Sequence, residues 1–484
     1  MSQAQVSNGR LTTVRTDLLS GITVALALIP EAIAFSIIAG VDPMVGLYAS
    51  FCIAMITAIA GGRPAMISAA TGAMALVLAS LVREHGFEYM LAATILTGVL
   101  QFLMGLLKLG RFITFVPHPV MLGFVNALGI LIFTAQLPHF KGAGWQLYAL
   151  VALTLAIIYI LPRFTKAVPS PLVAIVVVGS LAVALGVDLK TVGDMGDIRS
   201  TLPLFHLPEV PLSLETLRII FPYSLSLALV GIMESLLTAT LVDELTDTKS
   251  NKNREIKGQG LANFVTGLFG GMAGCAMIGQ TVINVRSGGR TRLSTFTAGV
   301  FLLILIMLLA DIVKQIPMAA LVGVMIMVSF STFNWSSLKL HQVPRGDAVV
   351  MLITVAIVLV THDLSKGVIA GVLVSALLFA WKAAHIKAEA VQQKNGAKLY
   401  RVSGPLFFAT VSSFAELFDY SGDPETVTVD FTHSQVWDQS AVTAVGKLIA
   451  KYEQAGKKVS ITGLNEHSRR LVEQVGLSGS SGAH

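Results

Sequence analysis

Apolar runs follow one another from Leu18 to Trp381, and no other feature of the chain limits its fold so tightly. A backbone placed in lipid must satisfy its own polar groups, which leaves helices and closed barrels. Runs of about 20 apolar residues without two-residue alternation read as helices. They divide into about fourteen segments. The first seven are Leu18–Gly40, Pro43–Gly61, Thr71–Val82, Tyr89–Leu109, Pro119–Leu137, Leu147–Leu161 and Leu172–Val187. After a polar loop come Arg218–Val242, Gly260–Met272, Ala276–Ser287, Phe296–Val313, Met318–Phe333, Ala348–Val360 and Val368–Trp381. Charged residues make up 13% of the chain, against about 25% in soluble domains. The fold class is therefore a polytopic α-helical membrane protein embedded in a lipid bilayer.

The net charge of +6 is no sign of nucleic-acid binding, because its placement carries the information. With fourteen passes, sixteen Lys and Arg from Arg10 to Arg345 fall on one side and seven on the other. Basic loops mark the cytoplasmic side, so residues 1–17 and the C-terminal end are both expected in the cytoplasm. The first residues lack a small-residue cleavage site, so the first run is expected to be retained. Cys52 and Cys275 lie in membrane-type runs without metal-ligand spacing and read as small packing residues.

The third and tenth segments are too short to span. The tenth offers about a dozen apolar residues between the Gly-rich GLFGGMAG and the basic VRSGGRTR, where a span needs about 20. A half-length helix presents unpaired N–H groups and the positive end of its dipole, an anion site that only protein or water can face; the plainer reading is a re-entrant packing element. Third and tenth are equivalent places if seven helices, residues 18–187, are repeated in residues 215–387. An odd-numbered repeat is inverted in the membrane, and paired interrupted segments point to a transporter's binding site. The candidate anion-binding residues are Ser68, Ala69, Ala70 and Thr71 at one tip and Ala276, Met277, Ile278 and Gln280 at the other.

Two acids lie deep within spans. Glu31 follows Pro30, which removes one backbone donor and loosens the helix. An ionised group there costs at least about 2.5–3.5 kcal/mol, so Glu31 is neutral, paired or on a water-filled path. Proton coupling is the preferred reading and a structural hydrogen bond the plainer one. Glu234 occupies the eighth segment with Thr238 one turn on, sharing its face. That pair suits proton or sodium coupling, or structural support of the half-helices. Asp243 and Glu244 read as solvated. Arg286, Arg290 and Arg292 read as cytoplasmic anchors. No nucleophile–base pair, phosphate loop or metal cluster stands out, so an enzyme is not expected and no cofactor or metal is called for.

From Ala388 the pattern changes to a small α/β domain over residues 388–477. KLYRVSG and PLFFATV read as a strand pair, SSFAELFDY as a helix and TVTVDFT as a buried strand. A helix ending at Gly456, the strand KKVSITG and the helix NEHSRRLVEQVG follow, and residues 478–484 read as a disordered tail.

DPMVGLYAS at Asp42–Ser50, MESLLT at Met233–Thr238 and QTVINVRSGGRTRLS at Gln280–Ser294, with the α/β domain after them, resemble the sulfate permease (SulP) family, related to solute carrier family 26, with a C-terminal STAS domain. The resemblance implies fourteen segments as two inverted seven-helix repeats, split into core and gate domains, in a homodimer that carries anions by elevator-like motion. It implies an anion held between half-helices 3 and 10. Proton-coupled members resemble this chain at Glu31. Sodium-coupled bicarbonate members carry Asp where Glu234 stands and Thr where Thr238 stands, and many animal members carry Arg near Gln280. Anti-sigma-factor antagonists place a phosphorylated serine near Ser440, which reads here as a helix cap or a regulatory site for a cytoplasmic partner. The sequence-level expectation is a proton-coupled anion symporter of the bacterial cytoplasmic membrane, with dicarboxylate, sulfate and bicarbonate as substrates in play. A sodium-coupled symporter and a membrane-anchored STAS signalling protein are the alternatives.

Overall fold

The computed structural model describes residues 3–110, 116–165, 168–186, 189–196, 201–339, 343–393 and 396–474. The tail at 478–484 lies outside them. The chain divides into two units, Met1–Val372 and Leu373–His484.

The first unit is helical. In chain order it runs α1 (Gln3–Ala39), α2 (Pro43–Ala60), β1 (Ser68–Ala70), α3 (Gly72–His85), α4 (Phe87–Leu106), α5 (His118–Thr134), α6 (Trp145–Ile160) and α7 (Ser170–Ala184). The second half repeats that order with α8 (Leu214–Thr246), α9 (Lys252–Leu268), β2 (Gly274–Ala276), α10 (Ile278–Arg286), α11 (Arg292–Lys314), α12 (Met318–Thr332), α13 (Arg345–Thr361) and α14 (Leu364–Ala383), the last of which continues past Val372 into the second unit. Among the described residues, eight of these helices are long and apolar enough to cross a membrane. The repeat is visible in the packing. α4 lies on α9 and α11 on α2; α1 lies on α11 and α8 on α4; α5 lies on α13 and α12 on α6. Each pairing becomes another when seven is added to or subtracted from the helix numbers, as two inverted copies require. The same pairings sort α1–α4 with α8–α11 as a core and α5–α7 with α12–α13 as a gate.

Small residues set the tightest crossing. A Cβ on Gly98 of α4 would lie 2.3 Å from the Phe264 nitrogen, and one on Gly260 of α9 would lie 2.5 Å from that of Phe102. The two backbones are in contact, the membrane device that replaces large apolar knobs. α9 also begins earlier than hydropathy suggests, at Lys252, because its polar first turns are helical and bury one face through Glu255 and Gln259.

In the second unit the sheet order is β3 (Lys387–Gln392), β4 (Lys398–Leu406), β5 (Thr426–Val436) and β6 (Lys458–Thr462). β3 and β4 are antiparallel, and the other pairings are parallel. Val427, Val429 and Phe431 alternate inward along β5 and meet Val442, Val445 and Leu448 of α16 (Gln439–Gln454). The short α15 (Val411–Ala415) and α17 (Glu466–Gln474) complete the unit. The expected strand pair at 398–411 is one strand, β4, paired with β3 on one side and β5 on the other; Gly404, whose φ of +97° only glycine adopts readily, lies within it without ending it. The expected helix over SSFAELFDY is one short turn. Asp438, not Ser440, caps α16, accepting from the Ala441 nitrogen at 2.8 Å, and Ser440 is exposed in the first turn.

Asp423 anchors this unit. Its buried carboxylate accepts from Lys398 Nζ at 2.6 Å, Tyr452 at 2.6 Å and Tyr400 at 2.9 Å. Burial opposes its ionisation, but these donors outweigh it and hold the pKa below the usual carboxylate value. A depressed pKa gives stability that is present at neutral pH and is lost as acid protonates the folded form. Asp423→Asn is expected to cost about 2–3 kcal/mol, seen as faster amide exchange along β4 and α16 in the full chain. Wild-type protection there should fall only as pH drops below about 4.

Candidate anion site and its linked carboxyls

β1 and β2 pair antiparallel at the centre of the first unit, Ser68 opposite Ala276 and Ala70 opposite Gly274. Extended backbone at membrane depth survives only where protein takes up its polar groups, and here it does. The Ala70 nitrogen donates to Ser50 Oγ at 3.3 Å and that of Ala276 to Ser235 Oγ at 3.1 Å. Asn263 clasps Gly274 through both its nitrogen and its carbonyl, and Gln259 donates to Ser68 Oγ at 2.5 Å. Ser68, Ala69, Ala70 and Ala276 thus hold the tips in place. A Cβ at Gly274 would fall 2.1 Å from the Ala69 oxygen. Gly274→Ala is accordingly expected to destabilise the protein by about 3 kcal/mol or more, read as a lower unfolding temperature and yield.

α3 and α10 leave this ribbon in opposite directions. Thr71 and Met277 stand at their N-cap positions, and neither makes a side-chain capping bond. The register places Thr71 and Met277 four strand positions apart, about 13 Å along the ribbon. Each start presents orphan N–H groups and a positive dipole end.

Both intramembrane acids are tied to these starts. Half-buried Glu31 of α1 accepts from Gln280 Nε2, in the first turn of α10, at 2.9 Å. Gln280 is 3% exposed, yet its Oε1 has no partner. Glu234 of α8 accepts from Cys275 Sγ at 2.6 Å, and that sulfur lies 3.2 Å from Thr71 Oγ1. Cys275 is therefore more than packing. Thr238 does share the Glu234 turn, but its hydroxyl donates to the Glu234 main-chain carbonyl at 2.7 Å and not to the carboxyl.

Space is unequal at the two tips. Ile278 is 38% exposed, and a Cβ on Gly279 would meet nothing within 4 Å. A Cβ on Gly72 would meet Phe35 of α1 at 2.9 Å and Ile132 of α5 at 3.1 Å. The α10 start is open and the α3 start is roofed. A cavity of about 250 Å³ lies between core and gate beyond that roof, lined by Ala34, Leu76, Gln136 and His139 among others.

Several supporting residues escaped the sequence reading. Glu255, Gln259 and Asn263, at four-residue spacing, form a buried polar face on α9 that serves β1, β2 and the Gly62–Arg63 backbone. Their periodicity is the signal that would have found them. Asp243 is paired with Arg63 at 2.8 Å and Lys252 at 2.9 Å and is not simply solvated. Arg292 donates to the Ala58 and Gly61 carbonyls at the end of α2, so it closes a helix terminus as well as adding charge.

Comparison with known proteins agrees with this architecture. The profile of the sulfate permease family matches residues 14–148 and 143–354, and that of the STAS domain matches residues 389–481. The protein named "Putative sulfate transporter YbaR" of Bacillus subtilis is 58% identical, covering 96% of this chain and 97% of its own. The bicarbonate transporter BicA of a Picosynechococcus species is 30% identical over 96% of this chain and 91% of its own. The structure of the murine solute carrier 26 family member A9 anion transporter superposes with a TM-score of 0.83 at 17% identity, covering 95% of this chain and 87% of that one, a likeness of fold. These relatives are named as transporters, not enzymes.

Proposed function

Because this chain belongs to the sulfate permease family and ends in a STAS domain, we propose that it is a secondary active transporter that moves a small oxyanion, of the sulfate or bicarbonate class, together with protons. The observation that carries the reading is the pair of uncapped helix starts, each tied through one side chain to an intramembrane carboxyl. Thr71, Ile278 and the Gln280 amide would meet the anion. Glu31 would hold the coupling proton, and Glu234 a second proton or the shape of the pocket.

The charge argument sets the need for protons. Carrying one net negative charge into an inside-negative cell costs about 2.3 kcal/mol per 100 mV. One proton cancels that for a monovalent anion, and two do so for a dianion. Two carboxyls at the site supply two places. Sodium is a poorer fit at Glu234, where the neighbours are a thiol and a hydroxyl already bonded to the main chain, since a hard cation prefers free oxygen ligands. The core helices with the anion between α3 and α10 would slide against the gate as an elevator. On the bias of the basic loops both termini would face the bacterial cytoplasm, where the STAS domain would be open to a regulator or, in a homodimer, to a second copy.

Proteoliposomes test this directly. Labelled sulfate or bicarbonate should accumulate under an inward proton gradient whether or not sodium is present. Accumulation under a sodium gradient at constant pH, and none under a proton gradient, would replace the proton with sodium.

A further inference from the structure

Thr71 leaves its own helix uncapped because its hydroxyl is spent elsewhere. It meets Cys275 Sγ, which in turn donates to Glu234 Oε2, so a three-membered chain runs from α8 through β2 to the start of α3. Every member is buried: Thr71 is 5%, Cys275 0% and Glu234 9% exposed. Among the described residues, this thiol alone bridges the carboxyl to the α3 tip.

We propose that Cys275 is a positioning residue that transmits the protonation of Glu234 to the anion-binding end of α3. A thiol has one hydrogen and accepts at sulfur, so the chain has two senses. With Glu234 ionised, the Cys275 S–H donates to the carboxylate and the Thr71 hydroxyl donates to sulfur, which turns the Thr71 hydrogen away from the anion. With Glu234 protonated, its O–H donates to sulfur and the S–H turns to Thr71 Oγ1. The Thr71 hydrogen is then free of the sulfur at the α3 start, beneath the Phe35 and Ile132 roof that an arriving anion would have to displace. No proton leaves the chain; only the donors reverse. A proton on Glu234 thus adds a hydrogen-bond donor for the anion, and by linkage a bound anion favours the proton. One such donor to an anion corresponds to roughly tenfold in affinity.

Among the described residues, no other charged side chain bonds to Glu234, Cys275 or Thr71. Arg83, Glu84 and His85 close α3 at its far end, and Glu88 begins α4. Glu255 of α9 is bound by Gly62 and Arg63, with Lys252, Arg254 and Lys257 in the same first turns. Arg286 is in the last turn of α10. On α8 itself Glu215 and Arg218 lie near one end and Asp243 and Glu244 near the other.

The inference rests on the anion lying at these helix starts. The test is anion binding to the purified full chain by calorimetry, with sulfate and with bicarbonate, from mildly acidic to mildly alkaline pH. A Glu31→Gln background leaves Glu234 as the acid in play. In that background affinity should rise roughly tenfold toward acid, Cys275→Ser should keep the rise because a hydroxyl also donates and accepts, and Cys275→Ala should flatten it with an unchanged unfolding temperature. An undiminished rise with Cys275→Ala, or no rise in the Glu31→Gln background, overturns the relay alone. Absence of anion binding by the unaltered protein overturns the transport reading and the relay together.

Discussion

Glu31→Gln should abolish proton-driven accumulation and leave anion exchange intact. The substituted amide keeps the size and a hydrogen-bonding atom for Gln280 Nε2, which now reaches Glu31 Oε1 at 2.9 Å, so α1 and α10 remain joined. What is lost is the capacity to be charged in one state and neutral in the other. One pH unit is worth about 1.4 kcal/mol per proton, a tenfold concentration ratio. An electroneutral symporter of a monovalent anion should therefore reach about tenfold accumulation per pH unit, and the variant about onefold. Counterflow, in which labelled anion exchanges for unlabelled at equal pH on both sides, should proceed at near wild-type rate. Accumulation by the variant equal to that of the wild type would remove Glu31 from coupling and leave Glu234 as the proton site.

The sequence made the frame of this site legible and hid its wiring. The truncated third and tenth segments show because a Gly-rich approach and a basic exit bracket too few apolar residues to span. Their pairing through β1 and β2 follows from the two-copy order. Hydropathy is blind to the rest for a physical reason: it scores each residue by its cost in lipid, whereas Glu255, Gln259 and Asn263 never meet lipid. They line one side of α9, where Glu255 accepts from the Gly62 nitrogen, Gln259 donates to the Ser68 hydroxyl and Asn263 clasps the Gly274 backbone. Cys275 looks like a small apolar residue in sequence, and only the fold brings Glu234 and Thr71 within reach of its sulfur. In the second unit the helix cap expected at Ser440 is found two residues earlier, at Asp438. The extended φ of −143° at Asp438 decides between them, because an N-cap residue must be non-helical.

Glycine substitutions separate the anion site from the scaffold that holds it. Gly279 is the second residue of α10, and a side chain there has open space around it. In a helix the Cα–Cβ bond leans toward the N-terminus, so any group added at 279 grows over the tip where the free N–H groups point. Gly279→Ala should fold as well as the parent or better, by up to about 1 kcal/mol from helix propensity alone. Its anion affinity should fall only slightly. Gly279→Leu should keep the same unfolding temperature within a few degrees while occupying the space an anion needs. Desolvation without a compensating donor makes that loss steep, at least tenfold and up to about a hundredfold in affinity for one or two forfeited hydrogen bonds to a charge. Gly274→Ala, five residues earlier, should do the reverse, lowering stability through the clash with the Ala69 oxygen before affinity can be asked about. Unaltered binding by Gly279→Leu would move the anion away from α10, because no bound oxyanion can reach those N–H groups past an isobutyl group seated over them.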